Sequence, residues 1–139
     1  MINSRSLNDL RPAARDKARE FKAQCKRVYG IDILIYCTYR DEAQQNFLYA
    51  SGRTRPGRKL TNARGGKSWH NHRCAWDCVP MEGGKTMWGD RASYRKMGKI
   101  AAMLGIVWAG NWRAFKETAH FQFTNGHDMQ HFRDGGTLR

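Results

Sequence analysis

The sequence predicts an α+β domain: a small, mainly antiparallel sheet with helices packed on one side. Three observations carry this expectation. Apolar residues recur at spacings of three and four near residues 7–28 and 91–104, the signature of helices that bury one face. Short alternating or β-branched runs occur at 31–37, 74–79, 106–108 and 119–123, and glycine or charge clusters separate them.

In the first helix Leu7, Leu10, Ala14, Ala18, Phe21, Cys25 and Val28 form a single stripe, Pro12 is tolerated in the first turn, and Gly30 stops the helix. The run from Ile31 to Cys37 follows that glycine and reads as a buried strand. Thr38, with Asp41 three residues on, resembles a capping box opening a helix through Phe47 and Leu48 that Gly52 ends. Residues 52–68 are rich in glycine and charge and read as a long loop, a type that is often functional in compact domains. From Cys74 to Val79 the chain alternates: Cys74, Trp76 and Cys78 face one way, Ala75, Asp77 and Val79 the other. A turn at 82–85 leads to the second long helix, with Tyr94, Met97, Ala101 and Leu104 inward. In the last strand His120 and Gln122 share a face and Phe121 and Phe123 take the core.

At 139 residues the chain is expected to form one catalytic domain, 1–139, large enough to fold without a disulfide or structural metal. No apolar run approaches the ~20 residues of a membrane span. The net charge of +13 calls for a polyanionic neighbour: nucleic acid, an anionic membrane face or a phosphate-rich cell envelope. Seven of the basic residues (Arg53, Arg55, Arg58, Lys59, Arg64, Lys67 and Arg73) follow one another without an acid, which suits either a solvated face or a docking surface. The four cysteines, Cys25, Cys37, Cys74 and Cys78, contain no C-x-x-C pair and read as buried thiols, with a cross-strand bond from Cys37 left open.

The chemistry lies in two distant segments, Ser68-x-His70 with Asp77 seven residues on, and Glu117-x-x-His120. Two imidazoles and a carboxylate are the ligand count of a catalytic zinc site that keeps a fourth position for water. Asp77 on an inward strand position would be costly as an unpaired charge, so it needs either a metal or one of the many arginines. Glu117 lies three residues from His120 and so cannot share its strand face. It belongs to the preceding turn, where it can take a proton from a metal-activated water and pass it to a leaving amine. His72, His127 and His131 lack such neighbours. Trp69, Trp108 and Trp112 suit either a groove for peptide or glycan, or packing.

The segments TYRDEAQQNFLYASGRTRPG, TNARGGKSWHNHRCAWD and WAGNWRAFKETAHFQF closely resemble the VanY-like zinc peptidases, the group of the D-Ala-D-Ala carboxypeptidases, the phage L-alanyl-D-glutamate endopeptidases and the hedgehog-type zinc fold. The resemblance runs from about residue 31 to 123. It implies one catalytic Zn2+ held by His70, Asp77 and His120, with Glu117 as general base and Arg40 holding the substrate carbonyl. It also implies support from Ser68, with Gln45 lining the site, while Trp112 is the tryptophan expected, from its own place in the chain, to help bind substrate. Arg73 stands where the broad pattern has glycine. The endopeptidases often carry aspartate at the position of Glu117.

The expectation is therefore a zinc peptidoglycan peptidase, a monomeric phage endolysin cutting the L-alanyl-D-glutamate bond of the stem peptide. D-Ala-D-Ala carboxypeptidase activity is the alternative. Without a secretory signal the chain is expected to be made in the host cytoplasm and to reach the anionic envelope after holin-dependent release, with no separate wall-binding domain. The rival class is a basic nuclease or a non-catalytic nucleic-acid-binding module. The tripeptide His70-Asn71-His72 tempts toward the former, but an HNH motif disperses its letters over a ββα unit. A free carboxylate at Glu117 argues against a closed, structural zinc site, and no nucleic-acid partner is expected.

Overall fold

The computed structural model describes residues 1–114 and 116–139. After a short 3₁₀ turn at Leu7–Asp9, helix α1 runs Pro12–Tyr29 with Pro12 at its first position. The helix thus starts later than the stripe suggests, because proline fits only where its missing N–H is not needed. Ala14, Ala18, Phe21 and Cys25 are buried, whereas Val28 at the far end is exposed. Gly30 takes a left-handed conformation (φ 66°), its N–H reaching the carbonyls of Cys25 and Lys26.

Strand β1, Asp32–Cys37, was expected to be buried but alternates between buried and open, with Leu34 39% exposed. Only one of its faces, that of Ile33 and Ile35, meets the core, and β1 is an edge strand, paired on one side only. Helix α2 is Glu42–Ala50, capped by Asp41, whose carboxylate accepts from the Gln44 N–H. Thr38 does not cap it, since its hydroxyl donates to the Ser6 carbonyl.

The remaining elements are β2 (Ala75–Glu82), β3 (Lys85–Thr86), α3 (Arg91–Met103), β4 (Val107–Trp108), β5 (His120–Gln122) and α4 (Met129–Arg133). β2 and β3 join through Gly83 and Gly84, both at positive φ (56° and 77°), as a two-residue hairpin turn requires. The sheet is antiparallel in the order β1-β2-β5-β4, with β3 pairing the end of β2.

One face of the sheet makes the core. Phe21 of α1 meets Phe121 at 4.8 Å and Trp76 at 6.0 Å between ring centroids, and the Tyr94 hydroxyl of α3 donates to the Cys78 carbonyl. All four cysteines are free and buried. Burial pushes the Cys25 thiol up to about 12 and the Cys74 thiol up to about 11. The other face carries polar groups. Cys37, Asp77 and His120 lie in one row across β1, β2 and β5, and the register slips between Ile35 and Cys37, so that Cys37 rather than Tyr36 stands opposite Asp77. Such a bulge re-aims a side chain beside a site.

Trp108 is a packing residue. It stacks on Phe121 and donates its indole N–H to the Thr118 carbonyl at 2.7 Å, and its ring covers Gly98 of α3, where a Cβ would overlap it. Gly98→Ala is therefore expected to destabilise. Overpacking costs about 1–3 kcal/mol and outweighs the roughly 1 kcal/mol of helix propensity that alanine brings. A lowered urea midpoint at unchanged slope would report it, and an unchanged or raised midpoint would contradict it.

Candidate metal centre and its cleft

The central strand β2 supplies Asp77, and its neighbour β5 supplies His120 directly opposite. His70 comes from a 3₁₀ turn, Trp69–His72, which Ser68 caps. The Ser68 hydroxyl accepts from the His70 N–H and the Asn71 side chain closes the reciprocal bond, so the turn is locked. The turn also separates two histidines that an extended chain would have aligned. His70 is buried in the site, while His72 bonds the Gly66 carbonyl and stacks on Phe132. The two histidines of the tripeptide thus serve different places, one in the site and one in packing.

Both imidazoles converge on one oxygen. His70 Nε2 lies 3.1 Å and His120 Nδ1 3.2 Å from Asp77 Oδ1, with the rings 5.1 Å apart and nearly perpendicular. The second nitrogen of each ring has a separate partner. His70 Nδ1 donates to the Thr38 carbonyl at 2.7 Å and His120 Nε2 to the Gln122 side-chain oxygen at 2.8 Å. Acceptors at those positions leave His70 Nε2 and His120 Nδ1 as the nitrogens that face Asp77 and that can offer lone pairs to a metal. In a tetrahedral zinc site with bonds of about 2.0–2.1 Å, ligand atoms are about 3.3 Å apart. The donor set fits zinc.

Cys37 also lies within reach, its donor atom and those of His70 and Asp77 falling within 4.8 Å of one another. Its sulfur, however, stands 3.6 Å from His70 Nδ1, behind the ring as seen from Asp77. A cation held by Nε2 and Asp77 is better completed by His120. Burial opposes ionisation of the Cys37 thiol, but His70 and Arg40 outweigh it and hold the thiol below its ordinary value.

Asp77 is not left as an unpaired charge. Its second oxygen takes the Arg40 guanidinium at 3.4 Å. Burial alone would raise this carboxyl, but His70 and His120 hold it far below the usual carboxylate range. Burial likewise disfavours the His70 imidazolium, yet Asp77 outweighs it and pushes His70 up to about 10 without metal.

Arg40 is fixed on three sides, by Asp77, by the Cys37 sulfur at 3.4 Å and by the Gln45 side-chain oxygen at 2.8 Å. Of its five N–H groups, two remain for a ligand. Gln45 does not line the cleft as expected. It is fully buried, and its amide N–H donates to the Ala63 carbonyl, so it ties Arg40 to the long loop. Glu117 sits in the turn before β5, half-exposed, with a carboxylate oxygen 3.7 Å from His120 Nδ1. The cleft, about 490 Å³, is walled further by Tyr36, Leu60, Lys67, Trp69 and Trp112. Trp112 lies 5.9 Å from the His120 ring, so Trp112 and Trp69, unlike Trp108, face the groove. Burial and then Asp77 push the Tyr36 phenol far up, which keeps it a hydrogen-bond donor.

Sequence reading missed several contributors. Gln122 was legible as sharing a face with His120, and that was the available signal. The Thr38 carbonyl and the bulge at Tyr36 are backbone features without one.

A buried carboxylate between two oriented imidazoles, open to a cleft that also holds a free carboxylate, defines a metal-dependent hydrolase. The chain is 32% identical over 124 residues to the peptidoglycan L-alanyl-D-glutamate endopeptidase CwlK of Bacillus subtilis, covering 83% of this chain and 74% of that protein. It belongs to the VanY-like, D-alanyl-D-alanine carboxypeptidase-type family of zinc peptidases and is a zinc metallopeptidase. A family model described as D-alanyl-D-alanine carboxypeptidase matches residues 61–123. An L-alanyl-D-glutamate peptidase of a Listeria phage is 32% identical over 111 residues, 78% of this chain but only 36% of that longer protein. Among solved structures, the L-Ala D-Glu endopeptidase ChiX of Serratia marcescens shares the fold at a TM-score of 0.64 and 22% identity, covering 96% of this chain and 92% of that one. The vancomycin resistance D,D-pentapeptidase VanY, solved with zinc, does so at 0.63 and 14%, covering 93% and 81%.

Proposed function

We propose that this zinc peptidase hydrolyses the L-alanyl-D-glutamate bond of the peptidoglycan stem peptide. The observation that carries the chemistry is the convergence of His70 Nε2 and His120 Nδ1 on Asp77 Oδ1 with Glu117 3.7 Å from one of those nitrogens. The choice of bond rests on the likeness to the endopeptidase CwlK across most of both chains.

His70, Asp77 and His120 would hold the zinc, which supplies Lewis acidity and lowers the pKa of water to about 7 when bound. Glu117 takes the proton from the attacking water and returns it to the amine of D-glutamate as the C–N bond breaks. Arg40, immobilised by Gln45 and Asp77, directs its two uncommitted N–H groups to the carbonyl oxygen of L-alanine, where negative charge develops. Ser68 keeps His70 in place through the turn it caps. Trp69 and Trp112 flank the peptide.

The biological role we infer is lysis of the bacterial wall by a phage-type enzyme. It is supported by the likeness to the phage peptidase and by a charge of +13 that draws the protein to an anionic envelope once a holin opens the inner membrane. The test is mass spectrometry of fragments released from purified peptidoglycan by untreated, chelator-stripped and zinc-restored protein, alongside turbidity of cells with and without a co-expressed holin. New amino termini on D-glutamate, lost with chelator and regained with zinc, are expected, with lysis only when the holin is present. Release of D-alanine would transfer the enzyme to the carboxypeptidases that the matching family model describes. Intact stems in every sample would overturn the peptidase reading.

A further inference from the structure

The seven-residue basic run is not one solvated face. Arg53 turns inward to the carbonyls of Tyr49 and Thr61 with its guanidinium over the Tyr49 ring, and Arg55 binds the Phe47 carbonyl over the Phe47 ring. Arg73, in a left-handed conformation at φ 61°, binds the Asp9 carbonyl and covers Tyr39. These three arginines staple loops.

Lys67 is different. It closes a turn with its N–H on the Arg64 carbonyl, and Gly66 at φ 82° occupies the position of that turn that requires a left-handed residue. The turn is pinned on every side. The Gly65 N–H goes to Asn46 and the Gly66 and Ser68 N–H groups go to Asn71, while the Gly66 carbonyl accepts from His72 and Arg133. Gly65 packs so tightly on Asn46 and the Glu42 carbonyl that no Cβ fits. The backbone is thus immobilised, yet among the described residues the Lys67 ammonium has no ion pair or hydrogen bond, and Lys67 lines the same cleft as His70 and Glu117. Arg40, the other cation of the cleft wall, is already committed to Asp77 and Gln45.

We propose that Lys67 is the specificity residue of this cleft, binding the α-carboxylate of the residue on the amine side of the scissile bond. This rests on the function proposed above. In an L-alanyl-D-glutamate bond the leaving nitrogen sits on the carbon that bears the D-glutamate α-carboxylate, so an anion enters the cleft two bonds from the leaving nitrogen. The Lys67 ammonium, exposed and carried on that immobilised backbone, forms a charge-assisted hydrogen bond with that carboxylate and none of comparable strength with its carboxamide. The enzyme therefore selects stem peptides whose D-glutamate is free over those in which it is amidated.

The experiment uses two synthetic stem peptides that differ only in carboxylate or carboxamide at that carbon, with wild type, Lys67→Met and Lys67→Arg, each checked for zinc content. Wild type is expected to prefer the carboxylate peptide by roughly tenfold or more in kcat/KM, mainly through KM. Lys67→Met brings the ratio near unity by losing only the carboxylate peptide, and Lys67→Arg retains the preference. Equal cleavage of both peptides by wild type, or an unchanged ratio in Lys67→Met, overturns the assignment and leaves the peptidase reading intact. Failure to cut either peptide at the L-alanyl-D-glutamate bond overturns that reading, and the role of Lys67 with it.

Discussion

Glu117→Gln is expected to reduce turnover by about 10²–10⁴-fold while the protein keeps its full zinc content. Glu117 is half-exposed, and its carboxylate approaches the site only through the 3.7 Å contact with His120. Glutamine keeps the shape and the backbone bond from the Glu117 N–H to the Ala109 carbonyl but can no longer accept a proton. The loss should appear in kcat and kcat/KM together, because the proton moves only as the bond breaks. Peptide hydrolysis measured beside zinc by mass spectrometry separates the roles: activity within a few-fold of wild type would remove Glu117 from the chemistry. Loss of zinc would make it a ligand, and an unaltered binding module would return the chain to the non-catalytic class.

Asp77→Asn should have the opposite signature, losing the metal first and activity as a consequence. Asp77 is the group on which both imidazoles and Arg40 converge, so its replacement removes a ligand and leaves a largely buried guanidinium without its counter-charge. Zinc affinity should fall by at least about a hundredfold, the upper end of what is lost when only a supporting partner of a ligand is removed. The wild type also predicts how pH acts. In metal-free protein His70 is raised to about 10, so its contribution to stability is complete below the unfolded value of about 6.5 and is lost as pH rises toward about 10. Asp77 is depressed, so its contribution is present above the unfolded value of about 4 and disappears as pH falls. Chelator-stripped protein should therefore lose melting temperature between pH 7 and 10. Zinc-loaded protein should not, because metal replaces the proton on His70. Parallel melting curves for the two forms across that range would contradict the ligand set.

The helices were legible because their burial follows a 3.6-residue period: the inward residues Tyr94, Met97 and Ala101 of α3 are those the spacing marks. The start of α1 was less so, since periodicity carried through Leu7 and Leu10 across a proline that only a first position accommodates. β1 looked buried because Ile and Leu occupy both of its faces, and nothing local records that the face bearing Leu34 is left open. At the site, the residue types and spacings pointed to His70, Asp77, Glu117 and His120, and the fold brings these four together. Side chains that act through long-range contacts were harder. Gln45 was expected in the cleft but is buried behind Arg40, and Arg53, Arg55 and Arg73 looked like surface charge until the loops they bind were in place. Their partners are backbone carbonyls, which every sequence has and none advertises.

β2 is an interior strand of the sheet, flanked by β1 and β5, and Asp77 is carried on it, whereas Lys67 and Glu117 are carried on connections outside the sheet. Opening the metal site from β2 means breaking two ladders at once, an event close to global unfolding, while an exposed side chain on a connection can change with little effect on them. The architecture thus sets a buried reaction centre, to which the connections contribute His70 and Glu117, beside an exposed reading group at Lys67. Redirecting which wall chemistry is attacked should therefore need only the side chain at 67 to change, with the backbone contacts of 61–66 that hold Gln45 and Arg40 kept.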